Sequence, residues 1–333
     1  MENAIKSKLL SIKKEDTIEN IQYIKQQQIR ELYKHYTNEE IEYYKELEFN
    51  GDIEDVKSIQ ISLEFVENEL QEKMFDYYRN VVSSIPHYNI PGRQVKILIK
   101  DNNTKKYLGL LQLTIDLLVN ANKNKFLQIN EKDYGKYKKI IRDCGVNISI
   151  CVPLQPFGFN YCGGKLLSML AFSNDIYNYY YKRYNIKIAY IITTSINGKS
   201  IQYSRLKCLK YIGLTDGYGT GHIQDDIVNE CKKFIIHKYP KYNIKKMSKH
   251  TILNLVIKTL NLNHDILNHG QKRGIYIGLT SKNSCKYISE KLKDKSWKPD
   301  LLESTQNIYE QWLEKYAIKR YKHLSKTNRI NKK

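Results

Sequence analysis

Four stretches hold residue types at spacings suited to chemistry. The first is Gly158-Phe-Asn-Tyr-Cys-Gly163-Gly164-Lys165, between an apolar run at 148–152 and a helical pattern from Lys165 onward. Backbone N–H groups at a helix N-terminus lack intrahelical acceptors, carry partial positive charge and attract anions. Glycine permits close approach, and Lys165 adds a full charge. A pyrophosphate suits this pattern, with Asn160, Gly163, Gly164 and Lys165 around it. A tight strand-to-helix turn, needing glycine only for its backbone angles, would use the same letters. The second stretch is Thr193-Thr194-Ser195, continuing through Gly198, Lys199, Gln202, Tyr203 and Ser204 to Arg205. It follows the end of an alternating apolar run, where open α/β sheets tend to bind ligands. Thr193, Thr194, Gly198, Lys199 and Gln202 read as substrate-binding residues. Tyr203, with Ser195 and Arg205, reads as the catalytic set, Tyr203 moving a proton. An ordinary solvated connection is the alternative.

The third stretch runs from Gly213 to His222 with alternating glycines. Asp216 and His222 have acid–base capacity, and His222 with Asp225 and Asp226 could hold a metal. The spacing is too loose to assign one. The fourth, Gly274-Ile-Tyr276-Ile-Gly278, contains the letters GIY and YIG overlapping in five residues. The nuclease signature of that name needs the two halves on separate strands, so it is set aside. His264, Asp265 and His269 read as surface or capping residues. The nucleophile elbow GxSxG and the Walker A pattern are absent from the sequence.

These residues need a scaffold. Residues 145–221 hold 9 of the 16 glycines and read as strand 148–152, loop 156–164, helix 165–184, strand 186–192, polar loop 193–200 and helix 202–211. Upstream, alternation at Val95, Ile97 and Ile99, turn chemistry at 101–104 and an apolar run at 107–118 predict an antiparallel hairpin. A short helix is expected over 130–143. The first 90 residues read as mostly helical, with a stripe through Ile18, Ile21, Ile29 and Leu32 and a capping box at Thr37–Glu40. A short strand at 59–63 and a helix over 64–83 follow, then Pro86 and Pro91. The tail predicts a helix at 249–262, a strand at 274–279 and a helix at 301–324.

Of the 333 residues, 55 are basic (46 Lys, 9 Arg) and 35 acidic, for a net charge of +20. A chain also rich in Ile, Asn and Tyr owes some of its lysine to A+T-rich codons, but codon bias does not change the sign of charge along one chain. Residues 1–91 carry −7, residues 92–231 carry +10 and residues 232–333 carry +17. The second and third parts therefore predict a polyanionic partner. We divide the chain accordingly into an acidic helical region (1–91), an α/β core (92–231) and a basic, mainly helical region (232–333). The six cysteines stand singly, without a CxxC pair, which fits reduced thiols and a cytoplasmic location. No apolar run or N-terminal apolar core predicts a membrane span or signal peptide.

The run at 148–213 resembles the acyl-CoA-binding core of the GNAT superfamily of N-acetyltransferases. Asn160-Tyr-Cys-Gly163-Gly164-Lys165 stands at its pyrophosphate loop and Tyr211-Ile-Gly213-Leu214 at a later conserved step. Gly163 matches; Asn160 and Lys165 depart from the expected Gln or Arg and small residue. Leu209 stands where a catalytic Tyr is often found. Segments in order across 85–320 resemble the DruA-like family, named after a component of the Druantia anti-phage defence system. They are Gly92-Arg93, Tyr107-Leu-Gly109, Ile150-Cys-Val-Pro153, Gly164-Lys-Leu-Leu167, Thr193-Thr-Ser195, Gly198-Lys199, Gln202-Tyr-Ser-Arg205, Tyr211-Ile-Gly213, Arg273-Gly-Ile-Tyr276 and Trp312…Arg320. The chain is also similar to phage Mom-type DNA modification proteins.

The resemblance implies a GNAT-like mixed α/β fold: a mostly antiparallel sheet flanked by helices, with helical N- and C-terminal extensions. It implies acetyl-CoA or another acyl-CoA as cofactor, with backbone amides near Val152 and Leu154 polarising an acyl oxygen. Expected partners are nucleic acid, DNA ahead of RNA, and proteins of a defence complex, with no membrane. A non-catalytic nucleic-acid-binding module and a protein N-acetyltransferase are the alternatives.

Overall fold

The computed structural model describes residues 2–11, 17–83, 92–130, 134–196, 198–216, 223, 225–244, 247–267 and 272–331. The expectations placed on Pro86, Pro91, Gly217, Gly219, Gly221, His222 and His269 fall outside these residues, as does the side chain of Asp225.

The N-terminal part contributes helices α1 (Glu2–Leu10), α2 (Thr17–Tyr33), α3 (Asn38–Glu46) and α4 (Ile53–Ser58), strand β1 (Ile61–Phe65) and helix α5 (Glu69–Val82). The predicted capping box forms: Thr37 Oγ1 accepts from Glu40 N at 3.1 Å, and Glu40 Oε2 accepts from Thr37 N at 2.9 Å. Asp52 and Asp55 make a second one at α4. Each satisfies helix-end amides that would otherwise lack partners.

The hairpin is β2 (Gln94–Asp101) and β3 (Tyr107–Ile115). Its turn closes on Asp101, which accepts from the amides of Asn103 and Thr104 and from the Thr104 hydroxyl. Helices α6 (Ala121–Phe126) and α7 (Tyr134–Cys144) lead into β4 (Gly145–Pro153). Next come α8 (Phe157–Tyr161), α9 (Gly163–Leu170), α10 (Asn174–Tyr184), β5 (Tyr190–Ser195) and β6 (Lys210–Leu214). Then follow α11 (Asp225–Lys238), α12 (Lys249–Thr259), β7 (Gly274–Leu279), α13 (Ser284–Ser289), α14 (Thr305–Trp312), a π-turn at Leu313–Ala317 and α15 (Ile318–Lys326).

Seven strands form one sheet in the order β1-β2-β3-β4-β5-β7-β6. Every neighbouring pair is antiparallel except β4–β5. The mixed, mostly antiparallel α/β architecture with helical terminal regions is thus as the sequence predicts. The sheet takes β1 from the acidic region, β2–β6 from the middle and β7 from the basic region.

One face carries Ile97, Ile99, Leu111, Leu113 and Ile148 against Leu166, Leu167 and Leu170 of α9 and Trp312 of α14. The other carries Leu98, Leu110 and Ile150 against Met74, Phe75, Tyr77 and Tyr78 of α5. Side chains alternate across a strand, so an apolar run such as β3 supplies both cores. Between β6 and β7, α11 and α12 pack with α1 around Phe234, Ile235, Val256 and Ile257 as a separate helical cluster.

Several elements differ from expectation. The 156–164 loop contains α8. The 165–184 helix is two helices, broken where Ser173 caps α10 and Asn174 N donates to Glu303 O at 2.8 Å. The 202–211 segment is turns followed by β6 rather than a helix. Its carbonyls are taken from outside, as shown next.

Candidate functional site

The parallel pair β4–β5 is short. It runs only through Gly145–Tyr190, Val146–Ile191 and Asn147–Ile192, although both strands continue. The first residue beyond is still bridged: Thr193 Oγ1 donates to Ile148 O at 3.0 Å. On its other side β4 slips against β3 between Gln112–Ile150 and Leu113–Ile148, leaving Ser149 as the extra residue. Such a bulge bends the strand that carries it. Here it lies where β4 parts from β5. A wedge therefore opens between the strands, facing 148–153 on one side and 193–195 on the other.

The wedge is filled by the segment after β5. Gln202 Nε2 donates to Cys151 O at 3.0 Å, so it occupies the β4 edge where a sheet partner would be. Leu154 N instead donates to Leu108 O at 2.9 Å, on the β3 side. Ladder alternation puts Val152, opposite Leu110, on that side too. The expected role of the Val152 and Leu154 amides is corrected accordingly: the backbone that faces the wedge is that of Cys151.

Tyr203 is sunk in this wedge beside Cys151 and Thr193. Burial pushes its phenol far above the ordinary range, the Cys151 thiol adds to this, and a hydrogen bond with Thr193 opposes it. Tyr203 thus stays protonated at neutral pH, a proton donor and not a base. Its ring packs against Tyr276 of β7, the centres 5.3 Å apart and the planes tilted by 52°. The Tyr276 hydroxyl accepts from Ser200 N at 2.8 Å and lies 3.1 Å from Ser204 Oγ. Cys151 Sγ is 3.4 Å from Ser168 Oγ, which donates to Gly164 O at 2.6 Å. Burial holds the Cys151 thiol up at about 12.

The Gly163–Lys165 segment opens α9 as predicted, after Cys162 in the left-handed region (φ 57°). The segment is covered. A side chain at Gly164 would meet Gln202 at 2.9 Å, and one at Gly163 would meet Phe157 at 2.8 Å. Asn160 is 3% exposed and exchanges hydrogen bonds with the Asn331 backbone at 2.8 and 2.9 Å. Lys165 Nζ donates to Ile201 O and Ser204 O, both at 2.6 Å, and lies 5.1 Å from the Tyr316 ring centre. Tyr316 of the π-turn donates to Arg205 O at 2.7 Å. Lys165 and Tyr316 between them satisfy three carbonyls of the 201–205 turn, which is why it does not continue as a helix. Burial lowers the Lys165 ammonium below its ordinary range, a nearby Arg205 lowers it further, and the Cys162 thiol works the other way.

Beside this segment lies a pocket of about 320 Å³ whose lining includes Gln155, Gly164, Lys165, Gln202 and Arg320. Two cations and no carboxylate line it. Arg320 is held over Phe159, its guanidinium 4.8 Å from the ring centre.

The other predicted residues spread outward. Thr194 and Ser195 pair with Ile275 and Gly274 on β7. Gly198 (φ 69°) turns the chain so that its carbonyl sits 2.0 Å from where a Cβ of Gly274 would be. Lys199 lies 5.3 Å over the Tyr211 ring. Arg205, also left-handed (φ 64°), faces a second cleft. Asp216 accepts from Ala121 N at 3.2 Å, at the foot of α6. The wedge thus gathers Thr193, Gln202 and Tyr203, with Ser195 at the end of the strand that borders it, while Lys199 lies over Tyr211 and Arg205 faces the other cleft. Cys151, Ser168, Tyr276, Tyr316 and Arg320 complete the surroundings and were not selected from sequence. All but Ser168 lie in motif segments that carried the family resemblance, which was the available signal.

No helix among the described residues is long and apolar enough to cross a membrane. The family model described as Druantia protein DruA matches residues 11–290. A protein of Escherichia coli (strain UMEA 4076-1), described as Druantia protein DruA, is 25% identical over 227 residues. That alignment covers 60% of this chain and 54% of the relative, so the chain spans little more than half of that relative's length. With a family model matching most of its residues, the chain belongs to the DruA family.

Proposed function

We propose that this chain is a divergent acyltransferase-type protein that acts on, or is bound to, nucleic acid in anti-phage defence, working with other proteins of a defence complex in the cytoplasm. The defence context rests on family membership. The chemistry rests on one observation: a single parallel strand pair that separates after three residues, with a bulge on β4 and a half-buried tyrosine in the gap. A separated parallel pair leaves main-chain groups without a sheet partner, and here Gln202 takes the carbonyl of Cys151 with Tyr203 beside it.

The 320 Å³ pocket fits a phosphate-bearing cofactor, since Lys165 and Arg320 border it and no carboxylate does. An acyl-CoA would supply an activated acyl group as a thioester. Within the wedge, Tyr203 holds a proton that it can give to a departing thiolate, and Thr193 orients its hydroxyl. Gln202 holds the Cys151 carbonyl and closes the wedge toward β4. The basic residues of 232–333 supply sequence-independent contacts to phosphates, which weaken as salt rises.

A second reading is favoured by how Lys165 and Gly164 are used. The lysine is bonded to two carbonyls and the glycine lies under Gln202, as in a non-catalytic nucleic-acid-binding module on this fold. Calorimetric titration with CoA and acetyl-CoA separates the two, since only the first predicts binding. Titration with DNA across a salt series tests both: no DNA binding at low salt, with CoA binding retained, would leave a protein N-acetyltransferase. Under the first reading Tyr203→Phe lowers turnover at unchanged CoA affinity, and full turnover in that variant removes Tyr203 from the chemistry.

A further inference from the structure

A second cleft borders the 205–210 segment. Its volume is about 570 Å³, within the range of small-ligand sites. Its floor is apolar: Met169 and Phe172 at the end of α9, Ile277 and Leu279 of β7, and Ile308 of α14. Gly278 sets its depth. The Cys208 carbonyl sits 1.8 Å from where a Cβ of Gly278 would be, so the 206–209 segment lies directly on β7.

The rim is cationic. Arg205, Lys207, Lys210 and Lys315 line the cleft against one carboxylate, Glu303, which already accepts from Gln311. Arg205, Lys207 and Lys210 are exposed and belong to one short segment, anchored at its start where Tyr316 donates to Arg205 O. Aromatic rings stand at both ends: Phe126, with Lys210 Nζ 5.9 Å from its centre, and Tyr316. An apolar floor with aromatic walls suits a flat ring, and a rim in which positive charge exceeds negative suits a phosphate.

We propose that this cleft binds a nucleotide, its base over the floor and its phosphate against Lys207 and Lys210. The inference rests on the nucleic-acid part of the reading above and makes no use of acyl transfer. The nucleotide is either free or one unit of a strand.

Fluorescence titration of the full chain tests it, with 2-aminopurine deoxyribonucleoside monophosphate, the matching nucleoside, and a short single strand bearing 2-aminopurine. The monophosphate should bind about tenfold or more tightly than the nucleoside, as expected for losing a charge-assisted contact. Lys207→Ala with Lys210→Ala should weaken the monophosphate by about tenfold or more. Lys322→Ala with Lys326→Ala, on exposed sites of α15, should change it less than about twofold. Tighter binding of the strand than of the monophosphate identifies a strand as the source, and equal binding identifies a free nucleotide. Equal binding of nucleoside and monophosphate, which needs no variant, overturns the inference. So does an equal loss in the two double variants. Salt-dependent strand binding that survives Lys207→Ala/Lys210→Ala would remove the cleft and leave the nucleic-acid reading standing.

Discussion

Lys165→Met asks whether the lysine of the glycine segment serves the fold or a ligand. The ammonium makes two hydrogen bonds of 2.6 Å to Ile201 O and Ser204 O. Bonds from a charged donor contribute roughly 1.5–3 kcal/mol each. Against this stands the cost of burying the ammonium, which is visible in its lowered pKa. Methionine keeps most of the volume and removes that cost, but leaves two carbonyls without their donor. The net expectation is a loss of about 3 kcal/mol. For a chain of this size that is a fall in melting temperature of roughly 4 °C. Thermal unfolding followed by tyrosine and tryptophan fluorescence reads it, and hydrogen exchange at 201–205 should quicken in the variant. A melting temperature within about 1 °C of the wild type, with unchanged exchange at the turn, would refute the clamp. Lys165 would then be free for an anion, and CoA affinity should fall instead.

Three further outcomes follow from the structure. Gly278→Ala places a methyl 1.8 Å from the Cys208 carbonyl, a backbone atom that cannot swing away, and should cost about 3 kcal/mol or more; a wild-type urea midpoint would refute this contact. Asp116→Asn strips the charge partner from Lys123, which is 0% exposed and bonded to Asp116 at 2.8 Å, so about 3–5 kcal/mol should be lost in urea unfolding, and Asp116→Asn with Lys123→Met should recover much of it. Lys25 is buried without a hydrogen-bond partner among the described residues, and burial, with Arg79 nearby, pulls its ammonium down from 10.5 to about 8. The folded chain therefore releases this proton near pH 8 and the unfolded chain only near 10.5, so this residue's burden on the fold is full below pH 8 and fades as pH rises to 10.5. Lys25→Met should be more stable than wild type at pH 7 by up to about 3 kcal/mol, and the difference should shrink by pH 10; a pH-independent difference would show that Lys25 is not buried as a cation.

What the sequence made legible was local. The capping box at Thr37, the Asp101 turn and the strand at Gly274–Leu279 are decided by neighbours within a few residues, and each forms as read. The errors lie where a distant group decides. Residues 202–211 have helical apolar spacing, but Lys165 and Tyr316 take the carbonyls that a helix would need. The 165–184 helix breaks because Glu303, more than a hundred residues on, takes the amide of Asn174. The candidate site divides in the same way. Tyr203 and Thr193 follow one another closely along the chain, whereas Arg320 and Tyr316 reach the glycine segment through long-range packing, Trp312 on Phe157 and Tyr321 on Tyr161. Periodicity along the chain carries no record of those contacts.

The charge gradient gains a physical basis from the fold. Carboxylates of the acidic front meet lysines of the middle segment across the sheet: Glu64 with Lys100 at 2.9 Å, and Glu72 and Asp76 with Lys96. Others meet lysines of their own region, as Glu40 does with Lys73 at 2.5 Å. The front is therefore a partial counter-charge for the body, and its −7 is not a free surface field. The basic region has no such internal answer. Residues 232–333 contain 24 cations and seven carboxylates, so most of the cations must face water or a partner whatever the rotamers. Glu2 reaches one of its lysines, Lys238, through the α1–α11 packing, at an exposed site where the pair contributes little. Codon bias bears on the abundance of lysine, but not on the placement of carboxylates toward one end of the chain. That placement leaves the tail and the Lys207–Lys210 rim as the surfaces where a polyanion gains most.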